Sequence, residues 1–448
     1  MREFTRKQLI DDFDFMIKTF EEVHPDIYAV VNKDETKKRI DGIRKTLKDE
    51  MTIETFYKKI GKVAPPFKDG HTFISIYQSL QLDEFQYFPL SLLFNKNKAI
   101  ITFDFTNSLM VNDEVLSINY IDMENMIQEM LQYISTETET FKYASLSRSF
   151  HILFSILFGI HSPFKVKFKR NGKIFEKTIK GLTSTEFKEL AKKNPRKIQS
   201  QKESFRIEEK IGFLNIPTFG YYKEEGEKFK KFIDQSFTNL KSNKIKNLII
   251  DVRNNGGGHS ELAKYIASYL TLKPIFSFNR ILWKSSQQIR DFVLNDVQND
   301  THGYYAQKDY DNLLSVKLGE CYHWDCKDDT DKFEKKQLFK GNVFVLSNAL
   351  CYSSTTDFLA MIRDFDLGKI VGTPTGGNPN SFGDCYFFNL PNTKLHISVS
   401  QKLFVRPSGD EKENDLTPDY VVVQTDEDRK REIDTVMKYA KKLCQKKM

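Results

Sequence analysis

Two short stretches of this 448-residue chain carry the residue types that acyl-transfer chemistry needs. The first is Asp251-Val252-Arg253-Asn254-Asn255-Gly256-Gly257-Gly258, which leaves an apolar run at 248–250. Three glycines let a backbone approach another group closely and turn its N–H groups outward, as an oxyanion- or phosphate-binding turn does. The stretch is neither a Gly-Lys-Ser/Thr phosphate loop nor a spaced dinucleotide fingerprint. On spacing alone, a tight strand–helix turn without chemistry fits it as well. The second stretch is Asn348-Ala349-Leu350-Cys351-Tyr352-Ser353-Ser354-Thr355-Thr356, again after an apolar run at 342–346. A serine that opens a helix is most often only an N-cap. The same position also favours an activated hydroxyl, because the next backbone N–H and the helix dipole can stabilise an oxyanion. No Gly-x-Ser-x-Gly elbow surrounds it, which argues against the α/β-hydrolase family.

A serine hydroxyl needs a base with a pKa of about 7, and histidine supplies one without large tuning. His71 lies in Asp69-Gly70-His71-Thr72, His259 stands beside the glycine turn, and His24 opens His24-Pro25-Asp26-Ile27-Tyr28. A histidine in a polar loop is usually a solvated side chain, so residue type alone does not choose among them. Asp251 and Arg253 are suited to anchoring the glycine turn through an ion pair.

The elements that must position these residues fall into three regions. Residues 5–60 read as helices, with Leu9, Phe13, Met16, Ile17 and Phe20 at helical spacing and a second helix over 52–60. Pro65-Pro66 breaks the pattern before a short strand at 73–77. Strands are expected at 99–103, 112–119 and 164–168, the last turning at Asn171-Gly172, with helices at 123–133 and 140–160. The polar, basic residues 192–202 read as a linker. From about 210 strands and helices alternate, the mark of an α/β core. Strands are expected at 211–216, 248–252, 342–346 and 370–372, with helices at 222–240, at 260–270 and from about 353. Residues 275–335 give no clear pattern, and 426–447 reads as one solvated amphipathic helix. The fold class is α/β in the mixed, α+β sense.

Composition narrows the function classes. Apolar residues make up 40% and charged residues 29%, as in a globular protein with a substantial core. At roughly 100–200 residues per domain, the length allows two to four units. The 38 phenylalanines point to aromatic packing or apolar grooves. A net charge of +7, without a basic stripe interleaved with aromatics, argues against nucleic acid as a partner. Five cysteines form no disulfide framework, and Cys321 and Cys326 lack the second pair that a zinc site requires. No metal or cofactor is implied. The most apolar stretch, 150–160, is too short to span a bilayer. The amino terminus has no apolar signal core, so a cytoplasmic location is expected; a leader cleaved beforehand would leave the same pattern in a periplasmic or secreted protein.

Taken together, the two loops give a specific resemblance. Their order resembles the catalytic core of the tail-specific (carboxy-terminal processing) peptidases, in which an Asn-x-Gly-Gly turn and a serine turn build the site on a crotonase-like ββα fold. The likeness continues through Asp364, Ile370-Val371-Gly372, Gly376-Gly377 and Thr417-Pro418-Asp419-Tyr420. Upstream, residues 111–119 resemble a PDZ segment, with Asn112 and Tyr120 where glycines are usual. The resemblance implies four segments: a helical region 1–80, a degenerate PDZ-like module 81–190, a peptidase core 205–425 and a carboxy-terminal helix 426–448.

Register against Asp364 and Gly372 puts the family nucleophile on Ser353, with Ser354 supplying the following N–H. By the same resemblance Gly257, with Gly256 as neighbour, supplies the second oxyanion donor, and Gly376 and Gly377 bind substrate. The lysine base of bacterial processing peptidases falls on Asn378 here. The tricorn-core branch uses a histidine from the amino-terminal region instead, and Asp69-Gly70-His71-Thr72 is similar to that segment. His71 is then the base, and Glu413, with Glu411 as the nearby alternative, is the carboxylate that orients it. His259 remains the competing base, and His24 reads as structural. The implied substrates are peptides or unfolded protein chains. Two other classes stay open. One is a non-catalytic ligand binder on the same fold, like the retinoid-binding domains of interphotoreceptor retinoid-binding protein. The other is a scaffold in which the PDZ-like module dominates.

Overall fold

The computed structural model describes residues 2–77, 86–193, 202–300, 304–327, 338–414 and 416–445. Most of the expected linker at 192–202 therefore lies outside the described residues. The chain divides into two compact units, Met1–Ile198 with Asp384–Ser400, and Gln199–Gly383 with Gln401–Met448.

The first unit opens with the helix Arg6–Val23, closed at its start by a capping box between Thr5 and Gln8. Leu9, Phe13, Met16 and Phe20 line its buried face at helical spacing. The helices Lys33–Lys45 and Ile53–Ile60 follow. The short strand Phe73–Ser75 pairs antiparallel with residues 396–398 of the strand His396–Val405. A separate sheet runs in the order Leu90–Asn95, Lys98–Asp104, Glu114–Ile118, Phe164–Arg170, Lys173–Ile179. Its last hairpin turns at Asn171 (φ 50°) and Gly172 (φ 82°), the left-handed pair that a two-residue turn requires. The helices Met123–Leu131 and Glu139–Phe158 belong to this part. Here the phenylalanines are used as core. Phe150 lies with ring centroids 5.7 Å from Phe88, 5.2 Å from Phe94 and 5.2 Å from Phe154.

In the second unit the sheet order is Ser204–Glu208, Ile211–Asn215, Asn247–Asp251, Asn342–Ser347, Lys369–Gly372, Tyr420–Val421. The first pair is antiparallel and the rest parallel. Both faces are covered. Leu248, Ile250, Val343 and Val345 pack on one side with Phe229, Leu262 and Phe358 from the helices Lys223–Ser242, Ser260–Ala267 and Ser354–Asp364. Their alternates Ile249, Phe344 and Leu346 pack on the other side with Val436, Ala440 and Leu443. Burial on two faces explains why these strands read as unbroken apolar runs.

Two parts differ from expectation. The unpatterned 275–335 region holds the strands Arg280–Lys284 and Cys321–Asp325 and the helices Gln287–Asn299 and Gln307–Leu314. Residues 280–283 also pair with 402–405. In place of one helix over 426–448 there are two, Asp426–Lys430 and Thr435–Gln445. Glu432 takes a positive φ of 55° between them, and Asp434 turns to Arg253.

Candidate active site

Neighbouring parallel strands, Asn247–Asp251 and Asn342–Ser347, each run out at their carboxyl ends into one of the two chemistry-bearing loops. That is where open α/β sheets place their sites. The loops are laced together. Asn348 Oδ1 accepts the Asn254 N–H at 3.0 Å, and its amide donates to Asn254 Oδ1 at 2.7 Å. The Tyr352 N–H donates to the Asn255 carbonyl at 3.1 Å. Cys351 Sγ donates to the Val252 carbonyl at 3.2 Å, and burial pushes this thiol up to about 12, so it stays neutral. Arg253 grips Asp251 at 2.6 Å and Asp434 at 2.7 Å, anchoring the glycine loop as expected.

Ser353 precedes the helix Ser354–Asp364 with φ 53° and ψ −130°, a backbone region that residues with a Cβ rarely occupy. Its side chain makes no capping hydrogen bond, so the plain N-cap reading does not describe it. Ser354 differs: it is buried, and its hydroxyl donates to the Gly258 carbonyl at 2.7 Å. The Ser354 N–H lies in the first turn of an 11-residue helix, where backbone donors lack intrahelical partners and the dipole is positive.

Gly257 is pressed against this turn. A Cβ on it would stand 2.8 Å from Ser353 Cβ and 3.0 Å from Ser354 N, and its φ is 103°. Its own N–H donates to Asn255 Oδ1 at 2.8 Å, so the donor that the resemblance assigns to Gly257 is engaged inside the loop. Gly256 is exposed, with open space where a Cβ would stand. Gly376 and Gly377 are buried behind the serine turn. The Gly376 N–H reaches the Cys351 carbonyl at 2.9 Å, and a Cβ on Gly377 would be 3.2 Å from the Tyr352 ring.

His259 packs its ring beside Tyr222 at 5.7 Å and Tyr304 at 5.9 Å. Asp364 forms a buried bidentate pair with Arg406 at 2.6 and 3.1 Å. Arg406 also holds the Glu413 carbonyl at 2.9 Å, so the backbone of Glu413 is fixed while the residue itself is exposed. Glu411 pairs with Arg280.

In the first unit, His71 sits in a loop built around Asp69, which is 1% exposed. Asp69 Oδ1 accepts the His71 N–H at 2.9 Å. Its Oδ2 accepts the hydroxyls of Thr72 at 2.5 Å and Ser400 at 2.6 Å and lies 3.3 Å from His24 Nε2. The His71 ring presents Nδ1 to Asp69 Oδ1 at 3.8 Å, and its carbonyl accepts from Ser398 Oγ at 2.6 Å. Burial works against the charge on Asp69. Hydrogen bonds from His24 and His71 outweigh it and hold the carboxyl well below its ordinary value.

Asp69, His71 and Glu137 bring ligand atoms within 4.8 Å of one another, a spacing that a metal ion could bridge. Asp69 Oδ2 is taken by His24, Thr72 and Ser400, while Oδ1 accepts the His71 N–H and keeps one lone pair on the side of the His71 ring. Asp69 and Glu137 are the residues that the sequence did not single out. The two-residue spacing in Asp69-Gly70-His71 was the available signal for the first.

Residues 210–422 match peptidase family S41. No curated protein sequence matches the chain. Mature CPAF aligns with a TM-score of 0.67 at 16% identity, covering 98% of this chain and 96% of that one. The structure of mature CPAF complexed with lactacystin aligns at 0.67 and 15% identity, covering 98% and 97%. The photosystem II D1 C-terminal processing protease aligns at 0.46 and 12% identity, covering 94% of each chain. At these identities the likeness to CPAF is one of fold. The match over 210–422, which spans both chemistry-bearing loops, identifies that segment as a peptidase family S41 region, and the chain as a serine-type peptidase.

Proposed function

We propose that the protein hydrolyses peptide bonds through an acyl-enzyme on Ser353, with His71 as the general base. The observation that carries this reading is the Ser353 backbone, φ 53° and ψ −130°, whose side chain does no capping. Strain of about 1–3 kcal/mol persists where the surroundings enforce it, and it concentrates at sites of function. His71 takes the proton from Ser353 Oγ as the hydroxyl attacks the substrate carbonyl. The tetrahedral oxyanion is stabilised by the Ser354 N–H at the helix start and by the glycine turn. With Gly257 N–H held by Asn255, a donor from Gly257 requires that loop bond to open on substrate binding. The protonated His71 then passes its proton to the leaving amine, and water resolves the ester in the reverse sequence.

The fold reading follows the same lines. The parallel sheet over 211–421 is the crotonase-like core, and the 90–179 sheet is a degenerate PDZ-like module. Asn112 (φ 70°) and Tyr120 (φ 68°) support the latter, since both adopt the backbone that glycine gives elsewhere in such a segment. The expected substrates are peptides or unfolded chains.

The test is cleavage of an unfolded protein substrate by wild type, S353A and H71A. Each variant should lose at least about 10³-fold in kcat/KM while remaining folded. A folded wild type with no hydrolase activity on any unfolded chain would favour a binding protein instead.

A further inference from the structure

Asp69 differs from an ordinary loop anchor in how its hydrogen bonds are divided. His24 Nδ1 accepts the Asp26 N–H at 3.1 Å, so the proton of the neutral His24 ring sits on Nε2 and points at Asp69 Oδ2. Oδ2 therefore takes three donors: His24, Thr72 and Ser400. Oδ1 takes the His71 N–H, and its second lone pair faces His71 Nδ1. Ser398 fixes the His71 carbonyl from the other side. The acid and the imidazole are thus held by one two-residue turn and need no distant segment to bring them together.

We propose that Asp69 is the positioning residue for His71: it holds the imidazole with the proton on Nδ1, leaving Nε2 as the nitrogen that takes the serine proton. This rests on the reading of His71 as the base. The 3.8 Å separation shortens on substrate binding, as such bonds commonly do. Other groups face the cluster as well. Glu137 accepts the Gly70 N–H at 3.4 Å, and Asp384 stands next to Cys385, whose Sγ is 3.8 Å from the His71 carbonyl. Burial pushes that thiol up to about 12, so it is neutral across the working range.

The experiment is the rate of inactivation by a fluorophosphonate as a function of pH, on the full chain. A carboxylate beside an imidazole raises its pKa, so D69N should move the acid limb to lower pH. It should also slow the plateau by about 10³–10⁴-fold. S400A removes one donor from Oδ2, makes the carboxylate a stronger partner, and should move the limb to higher pH with only a few-fold change in plateau. A merely structural role would not produce shifts of opposite sign. If D69N does not fold, the S400A shift still decides. A folded D69N within tenfold of wild type, or limbs that do not move, overturns the proposal. H71A separates the two claims. If it reacts at the wild-type rate, the base assignment itself fails. If it is dead while D69N is not, only the role of Asp69 fails.

Discussion

Replacing Ser353 with alanine and with glycine removes the same hydroxyl, so the difference between the two variants isolates the backbone. Alanine keeps the Cβ in the φ 53°, ψ −130° region, where it costs about 1–3 kcal/mol. Glycine adopts that region freely but loses about 0.5–1 kcal/mol more backbone entropy on folding. It also gives up the packing of a half-buried Cβ, a few tenths of a kcal/mol, at about 0.8 per fully buried CH2. The balance leaves S353G more stable than S353A by about 0.5–1.5 kcal/mol. Equilibrium urea unfolding reads this directly, and thermal melting should show about 2–4 °C per kcal/mol. Inside a helix alanine leads glycine by about 1 kcal/mol, whereas at a helix start glycine leads, so an alanine-first order is the one the Ser353 backbone rules out. S353G less stable than S353A by half a kcal/mol or more would refute the strained-turn argument.

Three further outcomes follow from the geometry. In G257A the new Cβ meets Ser353 Cβ and the Tyr352 carbonyl at 2.8 Å, at a φ of 103°. It should cost about 2–4 kcal/mol by urea unfolding, with loss of serine reactivity. R406A leaves Asp364 buried without its bidentate partner and should destabilise by about 3–5 kcal/mol in the same assay. Asp69 is held below its ordinary value of 3.8 in the folded state. The stability it contributes is present in full above that value and is lost as the pH falls towards the depressed one. Acid titration of unfolding should therefore show a limb below about 3.8 that D69N flattens.

The parallel core was legible because its strands are buried on both faces: 248–251 and 342–347 leave no polar alternation to confuse with a helix. The two loops were legible as a pair for the same reason, since each follows such a run. Residues 275–335 were not, because Arg280–Lys284 alternates buried and half-buried positions over five residues, too short for a clear period. The break in the carboxy-terminal helix falls where Asp434 caps the next helix by accepting the Met437 N–H at 2.9 Å, a local signal, and pairs with Arg253, 181 positions away, which no local pattern reveals. The same limit applies at the site. Register chose Ser353 over Ser354, and in the structure the Ser354 hydroxyl is committed to Gly258. The engagement of the Gly257 N–H by Asn255 is a matter of loop geometry that residue types do not reveal. Asp69 stood in view beside His71, but its partners His24 and Ser400 lie 45 and 331 positions away.

The central claim is that Ser353 is the nucleophile. Mass spectrometry after treatment with a fluorophosphonate tests it most directly. The account predicts one adduct per chain, mapped by peptide digestion to Ser353 and absent in S353A. A folded wild type that gains no adduct, or one that carries it on Ser354 or another residue, would contradict it.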